Sequence, residues 1–290
     1  MSAQVLTELL RTHDVLYAPG VWDGLSARLA QQAGFSALCA SGFAISAGLG
    51  LPDAEVFTAT ENLEAVRKIR EASSLPIIAD IDTGYGNAIN ASRTAANFSR
   101  AGVSAVFMED QVSPKRCPVC VGDPVEVLPI AEAAGKIRAA ADALQGESLL
   151  IARTDSVGDD AIKRAEAYVK AGADLIMPVS KTFKDLTEWR RCHEAVGVPL
   201  VAALTAWTWV ERDFTREAMV EVGVKIAFLP TQIVLAAATA IRDSLNRLAK
   251  GEASPQVSRN YMEHEDFARM IGFPEMEKRQ LEYLPATVEV

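Results

Sequence analysis

The sequence holds little of what marks a secreted or membrane-bound protein. Its 290 residues include four cysteines, too few for a disulfide scaffold, so reduced thiols are expected. No apolar run approaches membrane-spanning length, and Met1-Ser2-Ala3-Gln4-Val5-Leu6 shows no basic segment leading into an apolar one. A cytoplasmic protein with no membrane partner is the expectation. Positive charge is also short: the net charge is -9 with no basic patch to offset it. That argues against nucleic acid as a partner and leaves small anionic substrates to local Arg and Lys. His13, His193 and His264 fall at no expected strand end, and no catalytic role is assigned to them. Neither a Walker loop nor a G-x-G-x-x-G between strand and helix is present, so no phosphate-cradling nucleotide loop is expected.

What is present is aliphatic. Hydrophobic residues make up 49% of the chain and aromatics only 7%, so the core is built from Ala, Val, Leu and Ile. A unit recurs: an amphipathic helical pattern, a small residue plus Gly as helix stop, then a short apolar strand. It appears at Ala33-Gly34-Phe35, Ala101-Gly102-Val103, Ala171-Gly172-Ala173 and Val222-Gly223-Val224. Eight strands are predicted, over 16–19, 37–41, 77–82, 105–109, 149–153, 175–179, 200–204 and 226–229. Helical segments such as 24–33, 61–72, 88–101, 129–144, 160–171 and 214–222 lie between them. The alternation points to a (β/α)8 TIM-type barrel, with a doubly wound open sheet as the alternative.

Polar residues gather at the expected strand ends: Ser41-Gly42, then Asp80 and Asp82, then Glu109-Asp110, then Arg153-Thr154-Asp155. In a barrel these ends converge on one mouth, where active sites form. Asp80 and Asp82 lie two apart, so an extended strand would point both carboxylates the same way. Like charges so placed call for a cation or ordered water between them, and hard oxygen ligands suit magnesium. The plainer reading is a pair of caps or turn acids, and Thr154 and Asp155 are also open to a capping role. Arg153 is harder to set aside, because a cation ending an apolar strand needs a partner, and a substrate carboxylate matches its fork. The loop 109–124 carries Lys115, Arg116, Cys117 and Cys120 and has the length of a lid. Its C-x-x-C leaves a zinc or redox-dithiol reading open, although no second Cys/His pair stands at zinc-finger spacing.

Several of these stretches together resemble the phosphoenolpyruvate mutase/isocitrate lyase superfamily. They are Pro19-Gly20-Val21-Trp22-Asp23, Ser41-Gly42, Gly50-Leu51-Pro52-Asp53, Asp80-Ile81-Asp82-Thr83-Gly84-Tyr85-Gly86-Asn87, Glu109-Asp110-Gln111, Pro114-Lys115-Arg116-Cys117 and Ile151-Ala152-Arg153-Thr154-Asp155. The resemblance implies an α/β barrel with a magnesium site, acting on 2-oxo or 2-hydroxy carboxylates by breaking C–C or P–C bonds. It also implies a homotetramer whose subunits exchange a C-terminal helix, and a division into a barrel over 1–250 and a helical extension over 251–290. By position it makes Asp82 the direct Mg2+ ligand, with Asp80 and Glu109 helping. Ser41, Gly42, Phe43 and Arg153 would hold the substrate carboxylate, and Asp53 would orient water near the metal. Lys115 and Cys117 would lie on a gating loop, Cys117 being the acid/base of the family's C–C lyases.

The chain also departs from the pattern. Pro118-Val119 replaces the Gly-His of the lyases, and Val179, Ala203 and Ala206 stand where Glu, Asn and Glu are usual. A tricarboxylate such as 2-methylisocitrate then fits less well, since a buried charge without partners is costly. Trp207 and Trp209 would offer a more apolar or aromatic wall, or else simply pack. Three readings follow: a magnesium-dependent C–C lyase of a substituted malate, an oxaloacetate decarboxylase, hydrolase or P–C enzyme, and a non-catalytic metabolite-binding barrel.

Overall fold

The computed structural model describes residues 3–121, 125–179 and 181–284, so the last part of the loop 109–124 and the end of the tail lie outside it. Eight parallel strands close into a barrel in sequence order, which excludes the open doubly wound sheet. They are β1 Leu16–Val21, β2 Leu38–Ala40, β3 Ile77–Asp80, β4 Ala105–Glu109, β5 Leu149–Thr154, β6 Leu175–Pro178, β7 Leu200–Ala203 and β8 Val224–Leu229. Pairing of Leu16 with Ile226 and of Ala18 with Phe228 completes the ring.

Each strand is apolar on both faces because one faces the barrel interior and the other a helix. The inner layer holds Ile78, Phe107, Ile151, Met177, Val201 and Phe228. Phe107 and Phe228 meet with ring centroids 5.2 Å apart and fill the centre, which makes the barrel a packed core. The outer layer joins Ala79, Val106, Leu150 and Ile176 to helix residues such as Ile69, Phe98 and Tyr168. The recurring Ala-Gly acts as read: Gly34, Gly102 and Gly172 take positive φ of 87°, 85° and 105° just after their helices, a conformation that costs glycine little.

Helices outside the expected segments include Ala3–Thr12, Gly42–Gly48, Leu186–Val196, Trp209–Asp213 and Gln232–Ala249. The first sends Leu6 into the inner cluster beside Leu16 and Ile226. β3 is also shorter than predicted, ending at Asp80. Asp82 has turned out of the strand at φ 48°, so its carboxylate and that of Asp80 are not successive members of one pleated face.

The chain divides into two compact units, residues 1–235 and 236–290. The second contains most of helix Gln232–Ala249 and the helices Ser254–Val257, His264–Ile271 and Phe273–Tyr283. It leaves Leu245, Phe267, Leu281 and Tyr283 exposed. Among the described residues no helix is long and apolar enough to cross a membrane.

Candidate active site

The strand ends β2 to β5 deliver their polar residues to one mouth. Glu109 and Arg153 are register partners across β4 and β5, and Arg153 Nη1 meets Glu109 Oε2 at 2.6 Å. The same guanidinium grips Asp155 in two parallel hydrogen bonds, Nε to Oδ2 at 2.9 Å and Nη2 to Oδ1 at 2.7 Å. Arg153 therefore has protein carboxylates as partners. Asp155 belongs to this cluster rather than capping the helix Gly158–Lys170, whose N-cap is Val157. Thr154 is no helix cap either: its hydroxyl donates to Asp110, which also accepts from Tyr168 Oη and the Asp155 N–H.

Lys115 is buried at the centre. Its ammonium lies 2.7 Å from Asp82 Oδ1, 2.9 Å from Asp53 Oδ1 and 3.9 Å from Glu109 Oε1. The loop is tied down by Glu55, which accepts the Lys115 N–H at 3.2 Å and the Thr83 hydroxyl at 2.6 Å. On the other side Tyr85 donates its hydroxyl to Asp82 Oδ2 at 2.6 Å and accepts from Asn62. Asp80 receives the Asp82 N–H at 3.0 Å and the Gly42 N–H at 3.2 Å. These bonds hold Asp82 in a left-handed backbone conformation that a non-glycine residue adopts only when its surroundings impose it. Gly42 is needed for the approach, because a Cβ there would stand 2.7 Å from Asp80 Oδ2.

Burial pushes the Asp80 carboxyl up to about 7, with Lys115 pulling it down and Asp82 pushing it up. Glu109 is also raised by burial, against the opposing pull of Arg153 and Lys115. Burial works against the Lys115 charge, but the Asp82, Glu109 and Asp53 carboxylates outweigh it and hold the ammonium well above the usual lysine range. Asp53 is lowered despite its burial, chiefly through the charges of Lys115 and Arg153. Burial and the Asp53 charge push Cys117 up to about 12, so it stands as a neutral thiol that can donate a proton.

Asp53, Asp80, Cys117 and Arg153 border a cavity at this mouth. Its lining includes Ser41, Phe43, Asp53, Asp80, Cys117 and Arg153 together with the apolar Val119, Met177, Val179, Ala203 and Phe228 and the residues Thr205 and Thr231. Arg153 is the only cation among the described lining residues. The tryptophans do not form the expected wall. Trp207 is 95% exposed, and Trp209 packs edge-on against Phe214 at 5.6 Å, outside the lining.

The donor set suits a hard divalent cation. Asp53, Asp80, Asp82 and Glu109 gather around Lys115, and Asp53 Oδ1, Asp82 Oδ1 and both Glu109 oxygens are buried without a hydrogen bond of regular geometry. Ion pairs at 2.6–3.9 Å partly compensate them. Buried carboxylate oxygens in excess of the local cations are what a magnesium ion neutralises. Among the described residues, however, no three acidic, Cys or His side chains are arranged as one metal-holding group. The Lys115 ammonium stands where the oxygens converge.

Glu55, Asn62 and Tyr85 were not singled out by sequence. Tyr85 lies inside the Asp80–Asn87 motif, so that stretch carried a signal, whereas nothing local marks Glu55 as the anchor of Lys115, 60 residues away.

The family model described as phosphoenolpyruvate phosphomutase matches residues 6–249. The chain belongs to the phosphoenolpyruvate mutase/isocitrate lyase superfamily. A 2-methylisocitrate lyase of Bacillus subtilis is 43% identical over 202 residues, covering 68% of this chain and 65% of the relative. A 2,3-dimethylmalate lyase of Eubacterium barkeri is 33% identical over 99% of both chains. Among solved structures, a phosphonopyruvate hydrolase in complex with oxalate and Mg++ superimposes with a TM-score of 0.86 at 30% identity, covering 98% of this chain and 100% of the other. Within the superfamily this chain is an enzyme, a carbon–carbon lyase.

Proposed function

We propose that the protein cleaves the C2–C3 bond of a 2-hydroxy dicarboxylate of the substituted-malate type, releasing a 2-oxo acid and a carboxylate, with Cys117 as the acid. The observation that carries this is the buried thiol: Cys117 borders the cavity together with Asp53 and is held protonated by its surroundings. Asp82, with Asp80 and Glu109, would hold Mg2+, and the relative solved with Mg++ supports that assignment. The ion, when bound, supplies a Lewis acid for the 2-oxygen.

Arg153 and Ser41-Gly42-Phe43, at the start of the helix Gly42–Gly48, bind the carboxylate next to C2. Asp53 and Lys115 order the polar side, and the Lys115 charge favours the anionic substrate. The 2-hydroxyl gives its proton to a carboxylate that lines the cavity, Asp53 or Asp80, and as C2 becomes the carbonyl carbon the C2–C3 electron pair passes to C3 of the departing carboxylate fragment. C3 then takes the proton of Cys117, which borders the same cavity. Val119, Val179, Ala203, Met177 and Phe228 face that fragment, so an alkyl-bearing carboxylate fits there and a further charged arm does not. The helices after Gly251 expose Phe267, Leu281 and Tyr283, which supports their packing on further copies of the chain in a homotetramer.

The test is 2-oxo acid release from 2,3-dimethylmalate and from 2-methylisocitrate, with MgCl2 and after chelation. Turnover of the dimethyl compound that chelation abolishes is the expected result. Preference for the tricarboxylate would overturn the apolar-wall reading, and full turnover after chelation would overturn the metal assignment.

A further inference from the structure

The C-x-x-C of the loop is only half used by this reading, since Cys120 has no part in it. We propose that Cys117 and Cys120 form a reversible intrachain disulfide that switches the enzyme off under oxidation. Its effect on activity rests on Cys117 being the acid, while formation of the bond does not.

The geometry is that of a closed turn. The Cys120 N–H donates to the Cys117 carbonyl at 3.1 Å, and the Val121 N–H donates to the same oxygen at 3.0 Å. A hydrogen-bonded turn brings its first and fourth Cα atoms within about 7 Å, close to the separation that a disulfide spans. Both cysteines line one cleft together with Arg116 and Asp53. They differ in access: Cys117 is buried and Cys120 exposed, while the other free cysteines, Cys39 and Cys192, are both buried.

Access sets the order of events. A hydroperoxide gives its terminal oxygen to the Cys120 thiolate, leaving an alcohol or water and a sulfenic acid on Cys120. The Cys117 sulphur then attacks the Cys120 sulphur. The S–S bond forms as the S–O bond breaks, and the Cys117 proton leaves with the hydroxide as water. The two thiols lose two electrons to the peroxide, and a dithiol reductant returns them by exchange. In the oxidised state Cys117 has no proton to donate.

The experiment treats the full-length wild type and Cys120→Ser with hydrogen peroxide, maps the peptides by mass spectrometry, and follows turnover of 2,3-dimethylmalate before and after dithiothreitol. The expected wild-type result is a 117–120 peptide two hydrogens lighter, with activity lost and then restored by the reductant. Cys120→Ser keeps its basal activity and inactivates at least about tenfold more slowly, since it lacks the accessible thiol. Absence of the 117–120 linkage in inactivated protein, or equal inactivation of the variant, would overturn the disulfide. A linkage that forms while turnover continues would support the bond and overturn the acid role of Cys117.

Discussion

The Lys115 ammonium lies 2.7 Å from Asp82 Oδ1, the carboxylate proposed as the direct magnesium ligand. An ammonium and a divalent cation compete for the same oxygens, so the lysine is a resident counter-charge. Replacing Lys115 with Met removes that competitor. Binding of Mn2+ as a spin probe should tighten by about tenfold, ~1.4 kcal/mol, while turnover falls because Asp53, Asp82 and Glu109 lose the charge that holds them together. Unchanged Mn2+ affinity in an electron paramagnetic resonance titration would show that ion and ammonium do not share the site.

A second prediction concerns pH. A thiol whose pKa stands at about 12 is ionised in about one molecule in ten thousand at pH 8. Burial and the nearby Asp53 raise this value, so the protonated form is the native one across the working range and is lost only as pH climbs toward 12. Iodoacetamide at pH 8 should therefore label the exposed Cys120 first, and Cys117 only after unfolding. The labelling order is read by mass spectrometry, and faster modification of Cys117 would contradict the thiol assignment.

Asp155 supplies two of the hydrogen bonds that fix Arg153. Asp155→Ala leaves a buried guanidinium with Glu109 as its remaining ion-pair partner. Breaking a buried pair costs about 3–5 kcal/mol, and the retained Glu109 contact places the expected loss near the lower end. Urea unfolding measures it, and a loss below ~1 kcal/mol would mean that Arg153 reorganises freely.

For the extension, Phe267→Glu with Leu281→Glu should shift the protein to a smaller species in light scattering, because charge on an apolar contact face opposes association. An unchanged oligomer would remove these side chains from the subunit interface.

The barrel was legible because aliphatic runs alternate with helices that stop at Ala-Gly, and all eight predicted strands overlap observed ones. The helix Gly42–Gly48 was not, since a segment bounded by glycines reads as a turn. The cluster of Asp80, Asp82, Glu109 and Arg153 was visible as polar residues ending apolar strands. Its internal partnerships were hidden. The bonds from Arg153 to Glu109 and Asp155 could not be read, because the register of β4 with β5 is a tertiary fact. The left-handed turn at Asp82 was equally invisible, as it depends on Asp80 and Tyr85 gripping it from both sides. The aromatic wall failed because Trp207 follows β7 onto a turn at φ 71° that carries it into solvent.

The most direct measurement is proton NMR of 2,3-dimethylmalate turnover in D2O with magnesium, comparing wild type with Cys117→Ala. The account predicts a 2-oxo acid and a carboxylate carrying one deuteron at the freed carbon, and a variant that still binds Mn2+ but is slower by about 10²–10⁴-fold. Turnover by Cys117→Ala at the wild-type rate, with the same labelled product, would contradict it.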